Sequence, residues 1–282
     1  MSPLSLDQAY AHCLALARSH YENFPVASLL LPRKLRRSVA VIYAFARTAD
    51  DLADEGPADE ASRLNKLDSY HHTLERMAAN EALDDPVFIA LADTVRQHHL
   101  PLQLLFDLLS AFRQDVRQKR YANFAELRDY CRRSADPVGR LLLHLNGSAD
   151  ELNLQQSDLI CSSLQLINFL QDLGQDYREN GRIYIPLDEM ARFGVDETWF
   201  SGRRSDDAMR ALLTLQIERA RHMMLAGAPL GERLAGRFGF EIRLIVQGGL
   251  RILERLEHQR EDLFSRPRLR HGDLALMLLR AL

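Results

Sequence analysis

Residues 165–176 read Gln165-Leu166-Ile167-Asn168-Phe169-Leu170-Gln171-Asp172-Leu173-Gly174-Gln175-Asp176. Asn168, Asp172 and Asp176 recur every fourth residue, and Leu166, Ile167, Phe169, Leu170 and Leu173 fill the positions between them. That period predicts a helix carrying a stripe of oxygen-bearing side chains inside an apolar run. Polar groups embedded in this way need partners, because burying them unpaired is costly. Magnesium is a suitable partner. It takes carboxylate oxygens and keeps positions open for phosphate oxygens and water.

A second acidic pair lies upstream, in Tyr43-Ala44-Phe45-Ala46-Arg47-Thr48-Ala49-Asp50-Asp51-Leu52-Ala53-Asp54-Glu55. On a helix Asp50 and Asp54 share one face, a turn apart, and a cation between them would offset their repulsion. The spacing alone says little. With 39 acids in 282 residues, chance supplies about five such pairs, each normally a solvated face. Context adds weight: Arg47 lies one turn before Asp50, and Asp172 shares its stripe with Asn168 and Asp176. Two such sites facing each other across a helical cavity would hold Mg²⁺ around a diphosphate and draw it off as a leaving group. Arg47, Arg182 and Tyr184 are candidates for the diphosphate oxygens. The cluster Arg33, Lys34, Arg36, Arg37 reads instead as an exposed helix start.

The rest of the chain reads as helix at almost every point. Apolar residues recur at three- and four-residue steps over 5–20, 35–55, 59–79, 86–97, 101–118, 124–146, 154–178, 205–228 and 239–264. Breakers fall between these runs, and Pro137-Val138-Gly139 predicts a break within 124–146. Asp150 and Asp188 are candidate N-caps, and Arg182–Ile185 reads as a short strand before Pro186. With no repeat or dividing linker, residues 1–282 read as one all-α domain.

Composition excludes several functions. The net charge of −3 lacks the basic excess of a nucleic-acid binder. Three cysteines in no CxxC spacing argue against a disulfide framework or a zinc knuckle, and favour a reducing cytoplasm. No HExxH spacing supports a zinc enzyme. No signal peptide and no span-length apolar run is seen. The stretch Ala275–Leu282 could touch a bilayer or pack in the core, and the usual fate of an amphipathic face favours the core.

These motifs, in this order, resemble the squalene/phytoene synthase family over nearly the whole length. The match is carried by Leu31-Pro32, Tyr43-Ala-Phe-Ala-Arg47, Asp50-Asp51-x-x-Asp54, Tyr130-Cys131, Val138-Gly139, the Gln165–Asp176 stretch and Gly181-Arg-Ile-Tyr-Ile-Pro186. The resemblance implies the isoprenoid (terpenoid) synthase fold, a helical bundle around a central cavity. It implies Mg²⁺ bound through Asp50, Asp54, Asn168, Asp172 and Asp176, and prenyl diphosphate contacts from Tyr43, Arg47 and Gln165.

Departures from the family pattern point to a branch. Many relatives have a serine-rich stretch where this chain has His20–Ser28, an arginine where it has Gln171, and a tyrosine where it has Gly248-Gly249. The Asn23-Phe-Pro-Val-Ala-Ser28 string, Gln171 and Gly-Gly-Leu-Arg-Ile-Leu253 are similar to the bacterial hydroxysqualene synthase branch of hopanoid biosynthesis. That branch takes presqualene diphosphate, expels diphosphate and captures water without a nicotinamide. Asn23 and Gln171 are candidates for substrate binding because they replace other residues of the family. A carbocation needs an apolar, aromatic wall, for which Phe24, Phe45, Phe169 and Tyr130 are candidates. The resemblance also implies functional pairing with a presqualene diphosphate synthase and a cytoplasmic location, at most peripheral to the inner face of the membrane. Two other readings stay open: a head-to-head condensing enzyme making presqualene diphosphate, squalene or phytoene, and a non-catalytic helical partner protein. Intact acidic sites speak against the second.

Overall fold

Proline and glycine end the helices where the sequence places them, and helix fills nearly everything between. The computed structural model describes residues 4–19, 33–54, 56, 59–259 and 261–282. The chain divides into two compact units, Met1–Arg117 with Pro137–Asp150, and Gln118–Asp136 with Glu151–Leu282.

The first unit holds α1 (Leu6–Ser19), α2 (Arg33–Asp54), α3 (Glu60–Ala78), α4 (Pro86–His98) and α5 (Leu102–Arg117). Asp59 caps α3 by accepting from Ser62 N at 2.8 Å, and Asp85 caps α4 ahead of Pro86 at the first helical position. Helix α2 is the hub, packed by the other four. Val41, Ala44, Phe45 and Ala49 on its inner face are fully buried. The Phe45 ring stacks on Tyr70 at 5.3 Å and meets the edge of Phe88 at 5.9 Å. The basic start of α2 is exposed, as expected, apart from a half-buried Arg36. Arg37 lies over the Tyr10 ring and pairs with Asp7 at 2.8 Å.

In the second unit stands α6 (Phe124–Ser134), followed by α7 (Asp136–Asn146), which belongs to the first unit from Pro137 onward. The expected break therefore falls at Ala135, just before Pro137. Then come α8 (Glu151–Gln171), α9 (Leu173–Asn180), α10 (Leu187–Arg192), α11 (Glu197–Ser201), α12 (Asp207–Gly227), α13 (Leu230–Arg233), α14 (Gly236–Glu257) and α15 (His271–Ala281). Helix α8 packs on α6, α12 and α14. Its approach to α12 requires Gly227, where a Cβ would lie 2.6 Å from the Gln156 carbonyl oxygen.

Four expectations are corrected. Residues 182–185 form no strand: Ile183 N donates to Lys119 O at 3.0 Å and Leu187 N to Tyr121 O at 2.9 Å, but these scattered bonds do not make a ladder. Asp188 is not an N-cap, because α10 already begins at Leu187 and Asp188 Oδ1 accepts from Glu189 N at 2.8 Å. The run over 239–264 ends as helix at Glu257. The stretch Ala275–Leu282 does not go wholly to the core. It lies in α15, which buries Met277 and Ala281 but exposes Leu274, Leu278 and Leu279.

Charge joins apolar burial in fastening α15 to α14. Buried Asp273 accepts from Arg251 Nε at 2.7 Å, Arg255 Nη2 at 2.6 Å and Arg270 N at 2.6 Å. Burial opposes its charge, but the Arg270 N–H and the two guanidiniums outweigh it and hold the carboxyl down at about 2.

Asp136, at the start of α7, behaves in the opposite sense. It accepts from Ser162 Oγ at 2.6 Å and Arg128 Nη1 at 2.9 Å, yet burial dominates and pushes its carboxyl up to about 6. The folded state therefore binds its proton more tightly than the unfolded chain does, so this group's contribution is full below its ordinary value of 3.8 and is lost as pH rises through about 6. Asp136→Asn is expected to flatten the fall in stability across that window by roughly 1–3 kcal/mol. Urea titrations at a series of pH values check this. A wild-type fall that persists unchanged in the variant would contradict it.

Candidate active site

The first acidic site grows from the outer face of α2. Once Val41, Ala44, Phe45 and Ala49 are committed to the core, helical periodicity leaves Tyr43, Arg47, Asp50 and Asp54 partly exposed. Arg47 pairs with Asp51 at 2.5 Å and Asp50 at 3.3 Å. One guanidinium thus lies among the carboxylates, where helical spacing would otherwise leave repulsion.

The second site spans α8 and α9. The helix is interrupted at Asp172, whose backbone leaves helical geometry at φ −102° and ψ 12°. Even so, Asp172 N donates to Asn168 O at 2.9 Å and Asp176 N donates to Asp172 O at 2.8 Å. The stripe therefore survives the interruption. Asn168 is exposed, and Gln165, Asp172 and Asp176 are partly so. Asp172 Oδ1 is paired with Arg266 Nε at 2.6 Å. Burial raises the Asp172 carboxyl above its ordinary range, against the pull of Arg266 and Arg268. Arg266, in the segment between α14 and α15, was not marked by the sequence. Its only signal was the run Arg266-Pro-Arg-Leu-Arg270.

Gly174 permits this junction. A Cβ there would meet the Phe264 carbonyl oxygen at 2.9 Å and Arg203 Nη1 at 2.7 Å. Gln171 is buried, and its Nε2 donates to Pro267 O at 2.8 Å. Arg182 and Tyr184 are buried on the segment after α9, where Arg182 N donates to Asp176 O at 3.0 Å. The Tyr184 ring stacks on Phe169 at 3.7 Å, with Tyr130 and Tyr121 at 6.1 and 5.8 Å from it. Tyr121 joins this aromatic group although the sequence did not single it out. Phe45 does not belong to such a wall. It is a core residue, because its ring is enclosed by Tyr70 and Phe88. Asn23 and Phe24 lie outside the described residues.

The donor set suits a hard cation. Every side-chain donor in the Asn168–Asp172–Asp176 stripe is oxygen, and a guanidinium already sits on Asp172. Among the described residues no three His, Cys, Asp or Glu side chains converge as a metal-binding group.

Helix without strand among the described residues is the architecture of the isoprenoid synthases, and the solved neighbours share that fold. The crystal structure of a squalene synthase from Alicyclobacillus acidocaldarius is similar at TM-score 0.85 and 37% identity, covering 94% of this chain and 98% of that one. The hydroxysqualene synthase of Rhodopseudomonas palustris is 34% identical over 84% of this chain and 80% of its own length. The hydroxysqualene synthase of Zymomonas mobilis is 41% identical, over 66% of this chain and 62% of its own length. The 15-cis-phytoene synthase of a Synechocystis species is 34% identical over 77% of this chain and 67% of its own length. The squalene/phytoene synthase family model matches residues 17–274. The chain belongs to the squalene/phytoene synthase family, whose members act on prenyl diphosphates, generally with a divalent metal.

Gly174→Ala tests the junction at the second site. The Phe264 backbone must move to admit the methyl, at an expected cost of roughly 1–3 kcal/mol. Turnover should fall with it, because Asp172 and Asp176 flank the displaced residue. Denaturant unfolding and steady-state turnover measure the two. A variant matching wild type in both would refute the close packing at Gly174.

Proposed function

We propose that the chain is a hydroxysqualene synthase. It takes presqualene diphosphate and water to hydroxysqualene and diphosphate. The observation that carries the reading is the surroundings of Gly249. A Cβ there would lie 2.6 Å from Met224 Cε, 3.3 Å from Ile167 Cδ1 and 3.4 Å from Leu164 Cδ2. Met224, Ile167 and Leu164 fill with their side-chain tips the space beside Gly249 into which the tyrosine of many relatives would project, and would have to turn aside to admit it. Gln171, which replaces an arginine, spends its amide on Pro267 O. Two groups that relatives use on diphosphate are thus absent from a chain whose acidic sites are complete, which suits one diphosphate better than two. Relatives named hydroxysqualene synthase at 34 and 41% identity support the same choice.

On this reading Asp50 and Asp54 on α2, and Asn168, Asp172 and Asp176 on α8 and α9, would hold Mg²⁺. When bound, the metal would supply positive charge that stabilises the departing diphosphate. Arg47, Tyr43, Gln165 and Arg182 bind and orient phosphate oxygens. The carbon–oxygen bond breaks and its electron pair leaves with the diphosphate. Tyr130, Phe169 and Tyr184 offer ring faces to the cyclopropylcarbinyl cation and exclude bulk water during its rearrangement. One water then bonds to carbon through oxygen and gives up a proton. Asn23 and Gln171 remain the candidates for its neighbourhood. The enzyme works in the cytoplasm against the inner face of the membrane, downstream of a presqualene diphosphate synthase.

A second reading, condensation of two prenyl diphosphates to presqualene diphosphate, squalene or phytoene, is favoured by the similarity to phytoene synthase. Mass spectrometry of products from Mg²⁺ with presqualene diphosphate or farnesyl diphosphate, each with and without NADPH, separates the two. The first reading expects an alcohol from presqualene diphosphate alone. Consumption of farnesyl diphosphate with no alcohol from presqualene diphosphate would establish the second. Asp172→Asn should abolish turnover, by about a thousandfold or more, while circular dichroism shows unchanged helicity. Full activity in that variant would remove the metal assignment.

A further inference from the structure

Helix α15 presents an apolar face to water. Leu274 is 56% exposed, Leu278 38% and Leu279 71%, whereas Asp273, Met277 and Ala281 on the adjoining side are buried. Single exposed leucines are ordinary, but a contiguous set on one helix face marks a contact surface. The leucines are also spared from holding the helix in place, since the Asp273 clamp to Arg251 and Arg255 does so.

The flank of this face is basic. From residue 266 to 282 the chain carries Arg266, Arg268, Arg270 and Arg280 against the single acid Asp273. Arg268 and Arg270, immediately before α15, are both exposed. They line a cavity of about 680 Å³ together with Arg251, Arg255 and Arg266. Arg266, Arg251 and Arg255 are engaged with the acids Asp172, Glu254 and Asp273, and Arg268 and Arg270 add exposed positive charge at the cavity.

We propose that α15 lies flat on an anionic bilayer, its leucines among the acyl chains and the arginine-lined cavity seating a lipid phosphate. Charge complementarity selects this occupant. A second copy would bring Arg268 and Arg270 against their own kind, whereas anionic headgroups attract them and acyl chains accept the leucines. Among the described residues no helix is long and apolar enough to cross a membrane, so this contact lies on the bilayer and does not span it. The inference names the surface for the membrane contact in the functional reading above. It stands on exposure and charge, independent of the reaction.

Sedimentation of the full chain with vesicles tests it, using phosphatidylcholine alone and a phosphatidylcholine–phosphatidylglycerol mixture. Wild type should bind the anionic vesicles and leave the neutral ones. Leu278→Glu with Leu279→Glu should weaken binding about tenfold or more. Arg268→Gln with Arg270→Gln should weaken it by about fivefold for each arginine removed. Both positions of the leucine variant are exposed, so its turnover of detergent-dispersed substrate should match wild type. Turnover and adhesion are separate readouts, and loss of the first alone would count only against the reaction. The proposal is overturned if wild type ignores anionic vesicles, if either double variant binds as wild type does, or if light scattering shows a dimer that the leucine variant dissociates.

Discussion

Carboxylates one helical turn apart repel, and this chain sets several of them in partly dehydrated places. Each acidic site meets that constraint with an arginine. Arg47 lies between Asp50 and Asp51 on α2, and Arg266 sits on Asp172 at the α8–α9 junction. Much else follows from keeping those groups in position. The inner face of α2 is committed to an aromatic core, α8 is held by α6, α12 and α14, and Gly174 lets the segment carrying Arg266 come close enough to reach Asp172.

The two arginines differ in how visible they were in the sequence. Arg47 is one turn from its partners, so helical periodicity alone placed it with them. Arg266 is distant in sequence, and only the packing of Phe264 over Gly174 brings it to Asp172. The same division runs through the fold. Helix limits set by Pro86, Pro101 and Pro137 could be read because proline acts locally through its missing N–H. The interruption at Asp172 could not, since no residue there forbids helix. Arg182–Ile185 looks like a strand because its residues favour extended backbone, but a strand needs a neighbour with which to exchange bonds in series, and the bonds from Ile183 and Leu187 to residues 119 and 121 are too scattered for that. Phe45 looked like a cavity wall because an aromatic near an acidic motif reads the same whichever way its helix is turned. Tyr70 and Phe88 decided the direction.

Glycine carries much of the close packing between the helices of the second unit. At Gly227, Gly174 and Gly249 a single Cβ would run into another element. The first two positions set how closely α8 and α9 approach their neighbours. The third lets Met224, Ile167 and Leu164 close over α14, where many relatives carry a phenol. The shape of these packed regions is thus set partly by side chains that are absent, which a search for reactive groups overlooks.

The attachment of α15 carries a practical consequence. A helix normally needs its leucines for anchorage, and replacing them costs the fold. Here the anchorage lies at Met277, Ala281 and a buried aspartate that stays charged far into acid, and the outward leucines are no part of it. The outward leucines can therefore be traded for polar residues with the interior left intact. That separates surface from architecture: changes to the outward leucines alter what α15 presents to its surroundings and leave its buried contacts with α14 in place.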